Sequence, residues 1–244
     1  MTGTRSKSGV LRILLKLSGE ALMGDQDFGI SSTMLEYVST ELGAAVQRGV
    51  QVGVVVGGGN FFRGVSGVAQ NMDRVPADQM GMLATVMNAI ALAEHLNRDK
   101  IPARVLSAIP VGSFTDTYSQ QLALSSLEEG KVVIFAAGTG NPYFTTDTAA
   151  SLRAIEINAD LLLKATQVDG VYDADPKTTP AAKKFTQLNF DDVLDRKLGV
   201  MDLTAMTLCR EIVISLCVFE LRAEGAVGRR LDGQTEGTLI TNKT

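Results

Sequence analysis

The sequence predicts an α/β fold, a three-layer α/β/α sandwich around a mainly parallel sheet. Three observations carry this expectation. Short aliphatic and β-branched runs recur along the chain, apolar at consecutive positions as strands covered on both faces must be. Between them lie stretches with helical periodicity, and glycine-rich or polar turns stand at the junctions. At 244 residues with 45% hydrophobic content, the chain carries enough apolar material for a substantial core.

The elements follow in order. MTGTRSKSG, residues 1–9, is polar and reads as flexible. LRILLKL, residues 11–17, is the first strand; it is too short, and too interrupted by Arg12 and Lys16, for a signal peptide or a membrane span. The loop SGEALMGDQDFG leads to a helix over residues 32–49. There Met34, Leu35, Val38, Leu42, Ala45 and Val46 share a face, Thr33 and Glu36 form a capping box, and Gly49 ends the helix. VQVGVVV (50–56) is the second strand, and a Met- and Ala-rich helix covers residues 79–97. ARVLSAI (103–109) and KVVIFAA (131–137) are the third and fourth strands, TTDTAASLRAIEIN (145–158) is a helix, and ADLLLKA (159–165) is the fifth strand. ATQVDGVYDADPKTTPAAKKFTQL (165–188) reads as a polar hairpin arm with Asp169 and Gly170 at a turn. REIVISLCVF and GTLIT supply two further strands. The chain shows no internal repeat, long linker or low-complexity tract, so one domain over residues 1–244 is expected.

Composition narrows the chemistry. A formal net charge of −4 and a pI near 5.1 argue against a broad footprint on nucleic acid or on an anionic membrane. Cys209 and Cys217 have neither CxxC spacing nor nearby histidines, and read as buried reduced thiols in a cytoplasmic protein. The single histidine, His95, makes a catalytic triad or a multi-histidine metal site improbable, and is expected near a helix end facing water or a partner subunit. No GxxxxGK[ST] or complete GxGxxG occurs.

In open α/β sheets ligands collect beyond the carboxyl ends of the strands. Four predicted strand ends there are small, hydroxylic or basic: Lys16-Leu17-Ser18-Gly19, Gly57-Gly58-Gly59-Asn60, Gly138-Thr139-Gly140-Asn141-Pro142 and Lys164-Ala165-Thr166. Such residues expose backbone N–H groups, add hydroxyl donors and supply positive charge, which points to a polyphosphate site. Arg63 and Gly64 follow the glycine run within one turn, so an arginine is at hand for an anion lying against that backbone.

LKLSGEAL, VVVGGGNFFRG, DQMGMLATVMN, AGTGNPYFTTD, LLLKATQVDGVYDADP and VMDLTA resemble, in order from about Leu11 to Thr241, the signature segments of the bacterial uridylate kinases in the amino-acid kinase superfamily. The resemblance implies transfer of the γ-phosphoryl group of ATP to UMP, with Mg2+ held mainly by the ATP phosphates, in pyrimidine nucleotide biosynthesis. It implies an acceptor-binding lobe over about residues 10–160 and an ATP-binding lobe over about 161–244. Lys16 and Lys164 then hold the moving phosphoryl group, Arg63 contacts phosphate, Asp202 orients the lysines, and Asp147 is a second catalytic carboxylate. ATP contacts are implied for Lys16, Leu17, Ser18, Gly19, Gly59, Arg63, Thr166, Tyr172 and Asp175. UMP contacts are implied for Gly58, Asp78 as ribose ligand, and the segment Thr139, Gly140, Asn141, Pro142, Tyr143, Phe144, Thr145 and Thr146. From its residues alone, Asp202 reads as a helix N-cap, and Asp147, beside a phosphate, needs a lysine or a magnesium ion to offset its charge.

The same resemblance places an effector response, activation by GTP with UTP as inhibitor, at Gly24, Asp25, Gln26, Asp27, Phe28 and Gly29. It also implies a homohexamer, for which the helix at 79–97 offers a subunit face; a core-facing helix is the competing reading. Two alternatives stand beside the kinase of UMP: a kinase of a carboxylate or carbamate, and a nucleotide sensor without turnover.

Overall fold

Six consecutive residues, Arg12–Leu17 (β1), are buried because strands flank them and helices cover both of their faces. The structure, a computed structural model, describes residues 9–62, 71–223, 225–234 and 237–242. Arg63 and Gly64 lie outside the described residues. Beside β1 run β2 (Gln51–Val56) and β6 (Leu161–Thr166), both parallel to it. On one side the sheet continues from β2 through β5 (Val132–Ala136) and β3 (Ala103–Ser107) to β4 (Asp116–Thr117), all parallel. On the other it continues from β6 to the parallel β10 (Ser215–Glu220), the antiparallel β11 (Thr238–Thr241) and β9 (Gln187–Asn189). A separate hairpin pairs β7 (Val171–Tyr172) with β8 (Lys184–Phe185), as the polar arm predicts.

Alternate residues of β1 enter opposite cores, the period of two inherent to a pleated strand. Ile13, Leu15 and Leu17 pack beneath α2 (Ser32–Gln47), α3 (Arg74–Arg98) and α8 (Ala226–Leu231), with Leu42, Leu92 and Val227. Leu14 joins the opposite core with Phe135, beneath α4 (Gln120–Glu128), α5 (Thr146–Glu156), α6 (Phe190–Asp195) and α7 (Leu203–Ile212), through Ala150, Phe190 and Met206. The result is the predicted α/β/α arrangement. Each fully buried leucine or phenylalanine of these layers contributes roughly 1.5–3 kcal/mol.

Several expectations are corrected. Residues 19–23 form a short helix, α1 (Gly19–Met23), because the Ser18 side chain caps it by accepting from Ala21 N. Helix α2 is capped by Ser31, which accepts from Met34 N, and not by Thr33, which is already helical. Gly49, at φ 75°, does end that segment. Helix α3 starts five residues early: Pro76 sits in its first turn, where a missing N–H costs nothing. Helices α4, α6 and α8 and strands β4 and β9 are short and carry little periodicity of their own. His95 does not face water. It is 8% exposed, and Arg98 donates to its Nδ1 at 2.8 Å.

REIVISLCVF is only half strand. Arg210–Ile212 finish α7, and Val213 closes the helix at φ 62° and ψ 38°, the left-handed conformation usually taken by glycine. A β-branched side chain there is strained by roughly 1–2 kcal/mol, and Val213 is exposed, so little packing offsets the strain. Val213→Gly is expected to stabilise the protein by roughly 1 kcal/mol after glycine's larger loss of chain entropy, raising Tm by about 2–4 °C in differential scanning calorimetry; an unchanged or lower Tm would count against the strain.

Cys209 and Cys217 are both buried, with no disulfide between them. Burial pushes the Cys209 thiol up to about 11, against a hydrogen bond to Ser151 that works the other way, which leaves it unreactive at neutral pH. Among the described residues, no helix is long and apolar enough to cross a membrane.

Candidate active site

The sheet brings the four small-residue turns side by side. Strands β5, β2, β1 and β6 are neighbours and parallel, so the turns after Ala136, Val56, Leu17 and Thr166 open at one edge. Lys16 and Lys164 are register partners on adjacent strands, which puts both ammoniums on one side of the sheet. Between them lies Asp147, in the first turn of α5. Its Oδ1 stands 2.6 Å from Lys16 Nζ, and its Oδ2 accepts from Lys164 Nζ at 2.7 Å. The ion pair with Lys16 is the contact of Oδ1, which has no other hydrogen-bond partner among the described residues. Lys164 also donates to the carbonyl of Val200 at 2.5 Å.

All three side chains are about nine-tenths buried. Burial is the largest single influence on the Asp147 carboxyl and opposes its ionisation, but the charges and contacts of Lys16 and Lys164 outweigh it and hold the carboxyl below the usual carboxylate range. For Lys164, burial dominates and, with the charge of Lys16, draws the ammonium below its ordinary value despite Asp147. Two ammoniums against one carboxylate leave one net positive charge in a shielded position. Such a charge stabilises phosphoryl oxygens more strongly than one in open water.

By contact it is Asp147 that touches both lysines, while Asp202 reaches Lys164 through its charge, which favours the ammonium. Asp202 stands one bond further back. It caps α7 by accepting from Ala205 N at 3.0 Å, and it accepts from the hydroxyls of Thr145 at 2.5 Å and Thr148 at 2.9 Å. Thr145 in turn caps α5 by accepting from the backbone N–H of Asp147 at 3.0 Å and of Thr148 at 3.2 Å. Asp202 thus holds the helix start that carries Asp147, and the N-cap reading of Asp202 stands. Thr148 and the Val200 carbonyl were not legible beforehand: each is a common residue type in a position where only the fold reveals its partner.

The glycines of the turn after β2 divide by function. A Cβ on Gly57 would lie 2.9 Å from Gly19 N, and one on Gly58 would lie 2.8 Å from both the Ala84 Cβ and the Gly81 carbonyl of α3. Gly19 is equally constrained, its Cβ position being 2.6 Å from Gly59 N. These three are glycine because two turns and a helix pack backbone to backbone. At Gly59 a Cβ would meet only Glu20 at ordinary distance, so the fold itself does not demand a glycine there. Leu17 is buried in the core, which leaves only its main chain for a ligand.

The expected acceptor segment follows β5. Gly140 is left-handed at φ 80° and Tyr143 at φ 72°, strain that a non-glycine residue bears only where its surroundings impose it. What imposes it on Tyr143 is Asp78, whose Oδ2 accepts from Tyr143 N at 2.7 Å. Arg74 donates to both Asp78 oxygens, at 2.9 and 2.8 Å, and stacks 5.5 Å from the Tyr143 ring centre. Asp78 therefore joins α3 to the segment 139–146, with Tyr143 and Phe144 exposed beside it. Thr139 and Asn141 bond to each other within that turn, and Pro142 and Thr146 are partly exposed.

Among the described residues, the side chains of Tyr172 and Asp175 bond within the arm. The Tyr172 hydroxyl donates to Asp169 at 2.6 Å, and Asp175 accepts from Lys177 N at 2.9 Å. Neither joins the lysine–aspartate group, while Thr166, at the end of β6, donates to Val168 O at 2.6 Å. Residues 24–29 leave α1 at Gly24 and are held by Asp25 against Arg222 at 3.0 Å, by Phe28 edge-on to Phe61 at 5.4 Å and by Gly29 N donating to Asn60 O at 3.0 Å. Gln26 N donates to Met23 O, and Asp27 is exposed.

The sequence profile of the Amino acid kinase family matches residues 11–220. The chain belongs to the amino acid kinase family. Among its relatives in that family are the uridylate kinase of Ectopseudomonas mendocina (strain ymp), 59% identical over 94% of this chain and 93% of that protein, and that of Marinobacter nauticus, 54% identical over 98% and 99%. The crystal structure of UMP kinase from Bacillus anthracis superposes with a TM-score of 0.93 at 37% identity, covering 96% of each chain. That of UMP kinase from Ureaplasma parvum gives 0.90 at 36%, covering 95% of this chain and 99% of the other. The amino acid kinase sheet, with lysines at two adjacent strand ends, is the frame on which this site is built.

Proposed function

We propose that this chain transfers the γ-phosphoryl group of ATP to UMP, giving ADP and UDP. The observation that carries the reading is the Lys16–Asp147–Lys164 group at the shared edge of four parallel strands. The choice of UMP as acceptor rests on the likeness to proteins named uridylate kinase. An oxygen of the UMP phosphate attacks the γ-phosphorus as the bond from that phosphorus to the β-bridging oxygen breaks, and the electron pair leaves with ADP. The attacking oxygen is already anionic, so no side-chain base is required. Positioning and charge suffice. This suits a chain whose single histidine is buried at the far end of α3.

In this reading Lys16 and Lys164 meet the transferring group, Asp147 holds them apart and aligned, and Asp202 acts through Thr145. Main-chain groups of Leu17, Ser18, Gly19 and Gly59 face the ATP phosphates, with Thr166, Tyr172 and Asp175 on the nucleoside side. Asp78 and residues 139–146 take UMP; Gly58, packed on α3, contributes main chain only. Arg63 adds a further phosphate contact. Mg2+ bound with ATP would neutralise phosphate charge. Asp147 is already engaged by two lysines, so the ATP phosphates would be the ion's main ligands. The lobe over about 10–160 receives UMP and that over about 161–244 receives ATP, and the protein works in the cytoplasm.

A coupled assay of ADP release, with ATP, Mg2+ and separately UMP, CMP, dUMP, AMP, aspartate, acetylglutamate and carbamate, tests the reading. ADP and UDP formed with UMP alone are expected, with GTP raising and UTP lowering the rate through residues 24–29. Silence in every well, while UMP or UTP protects the protein against heat, would replace the kinase with a sensor.

A homohexamer is part of the proposal. Met80, Leu83, Met87 and Ile90 recur at helical spacing along α3 and are all exposed, a stripe suited to a second copy. Leu83→Glu with Met87→Glu is expected to lower the particle mass in light-scattering chromatography. An unchanged mass would acquit this face.

A further inference from the structure

Behind the glycine turns lies a pair of buried amides. Asn60 is 3% exposed and Asn88, on α3, is fully buried. Asn88 donates from Nδ2 to Gly57 O at 2.7 Å and to Asn60 Oδ1 at 2.8 Å. Asn60 donates from Nδ2 to Asn88 Oδ1 at 2.9 Å and to Gly29 O at 2.8 Å. Rotating either amide by half a turn would set oxygen against oxygen, so the network admits one arrangement. The Asn60 oxygen also defines the space over Gly19, where a Cβ would stand 2.5 Å from it.

The pair therefore touches the turn after β1, the turn after β2, the body of α3 and the segment 24–29. Unsatisfied buried amides are costly, whereas fully paired ones specify a single geometry. Apolar residues would fill the same volume without fixing any peptide plane. We infer that Asn60 and Asn88 are positioning residues for phosphoryl transfer: their reciprocal bonds set the Gly57–Gly59 main chain against Gly19 and so fix the backbone that the ATP and UMP phosphates meet. The inference rests on the functional reading above. Both side chains are shut away from any ligand, and they act through the glycines.

The test compares Asn60→Ala, Asn88→Ala and the double variant by steady-state kinetics with ATP and UMP, well below each variant's Tm, with ATP binding measured by calorimetry in parallel. Each single change is expected to lower kcat/KM by about 10- to 100-fold, the scale of a misplaced reacting group, with kcat falling and the KM for ATP rising. The double variant is expected to lose no more than the worse single, because either change already dissolves the pair. Should Asn88→Ala fail to fold, Asn60→Ser, in the loop and without added volume, carries the same expectation. A lower Tm with kcat and both KM values within twofold of wild type would reduce the pair to scaffolding, and losses that multiply in the double variant would show two separate roles; either overturns the inference alone. Wild-type protein that neither binds ATP nor forms UDP overturns the functional reading, and with it the phosphate role of the pair.

Discussion

Lys16→Ala is expected to lower kcat for UMP phosphorylation by about 100- to 1,000-fold, the usual cost of removing one preorganised charge or donor from a transition state, while the protein stays folded. The reason for the second half lies in the charge count. With Lys16 gone, Asp147 keeps its bond to Lys164 at 2.7 Å, and one buried cation remains matched to one buried anion. What is lost is the surplus positive charge that the phosphoryl oxygens would meet. Quenched-flow measurement of UDP formation, with circular dichroism as the check on folding, reads both halves. Near-normal turnover would remove Lys16 from the reaction.

Asp147→Asn is expected to behave in the opposite way, with stability as the larger loss. The change leaves two ammoniums facing each other in a shielded site, and breaking a buried ion pair by removing one partner costs about 3–5 kcal/mol. The dependence on pH follows from the lowered pKa of the Asp147 carboxyl. A carboxyl held lower in the folded than in the unfolded protein contributes stability that is fully present above its unfolded value, and that fades as acid carries the pH down through its folded value. Wild type and variant should therefore differ most near pH 7 and converge in acid. Lys164 runs the other way: its folded value lies below that of an ordinary lysine, so its unfavourable contribution is full in acid and relieved as pH rises through the folded value. Urea melts at neutral and acid pH measure the gap, and equal midpoints at pH 7 would refute the pairing. ATP, whose phosphates replace the missing anion, should raise the Tm of the variant more than that of wild type.

The contrast between these two variants depends on knowing which carboxylate sits between the lysines. From the chain alone Asp147 and Asp202 are similar: both open helices, both follow a loop, and both are acidic residues at positions where an N-terminal helix dipole favours them. The resemblance favours Asp202. Only the crossing of α5 over the ends of β1 and β6 brings Asp147 within 2.6 Å of Lys16 and leaves Asp202 behind Thr145. The glycines teach a similar lesson. A glycine run after a buried strand suggests room for a ligand, yet Gly57 and Gly58 owe their lack of side chain first to Gly19, Gly81 and Ala84.

What the sequence determined by itself is whatever depends on near neighbours in the chain. Consecutive apolar residues in ILL and VVV demand cover on both faces, helical periodicity supplies the cover, and small residues at strand ends open one edge of the sheet. Those requirements are local, and the central strands and the two lysines could be read from them. The short peripheral helices, the early start of α3, the true partner of the lysines and the Asn60–Asn88 amides were decided by tertiary structure. Each depends on a distance between residues far apart in the chain, and such distances exist only once α3 and α5 have packed on the sheet and burial has made one arrangement of charges and amides far less costly than the others.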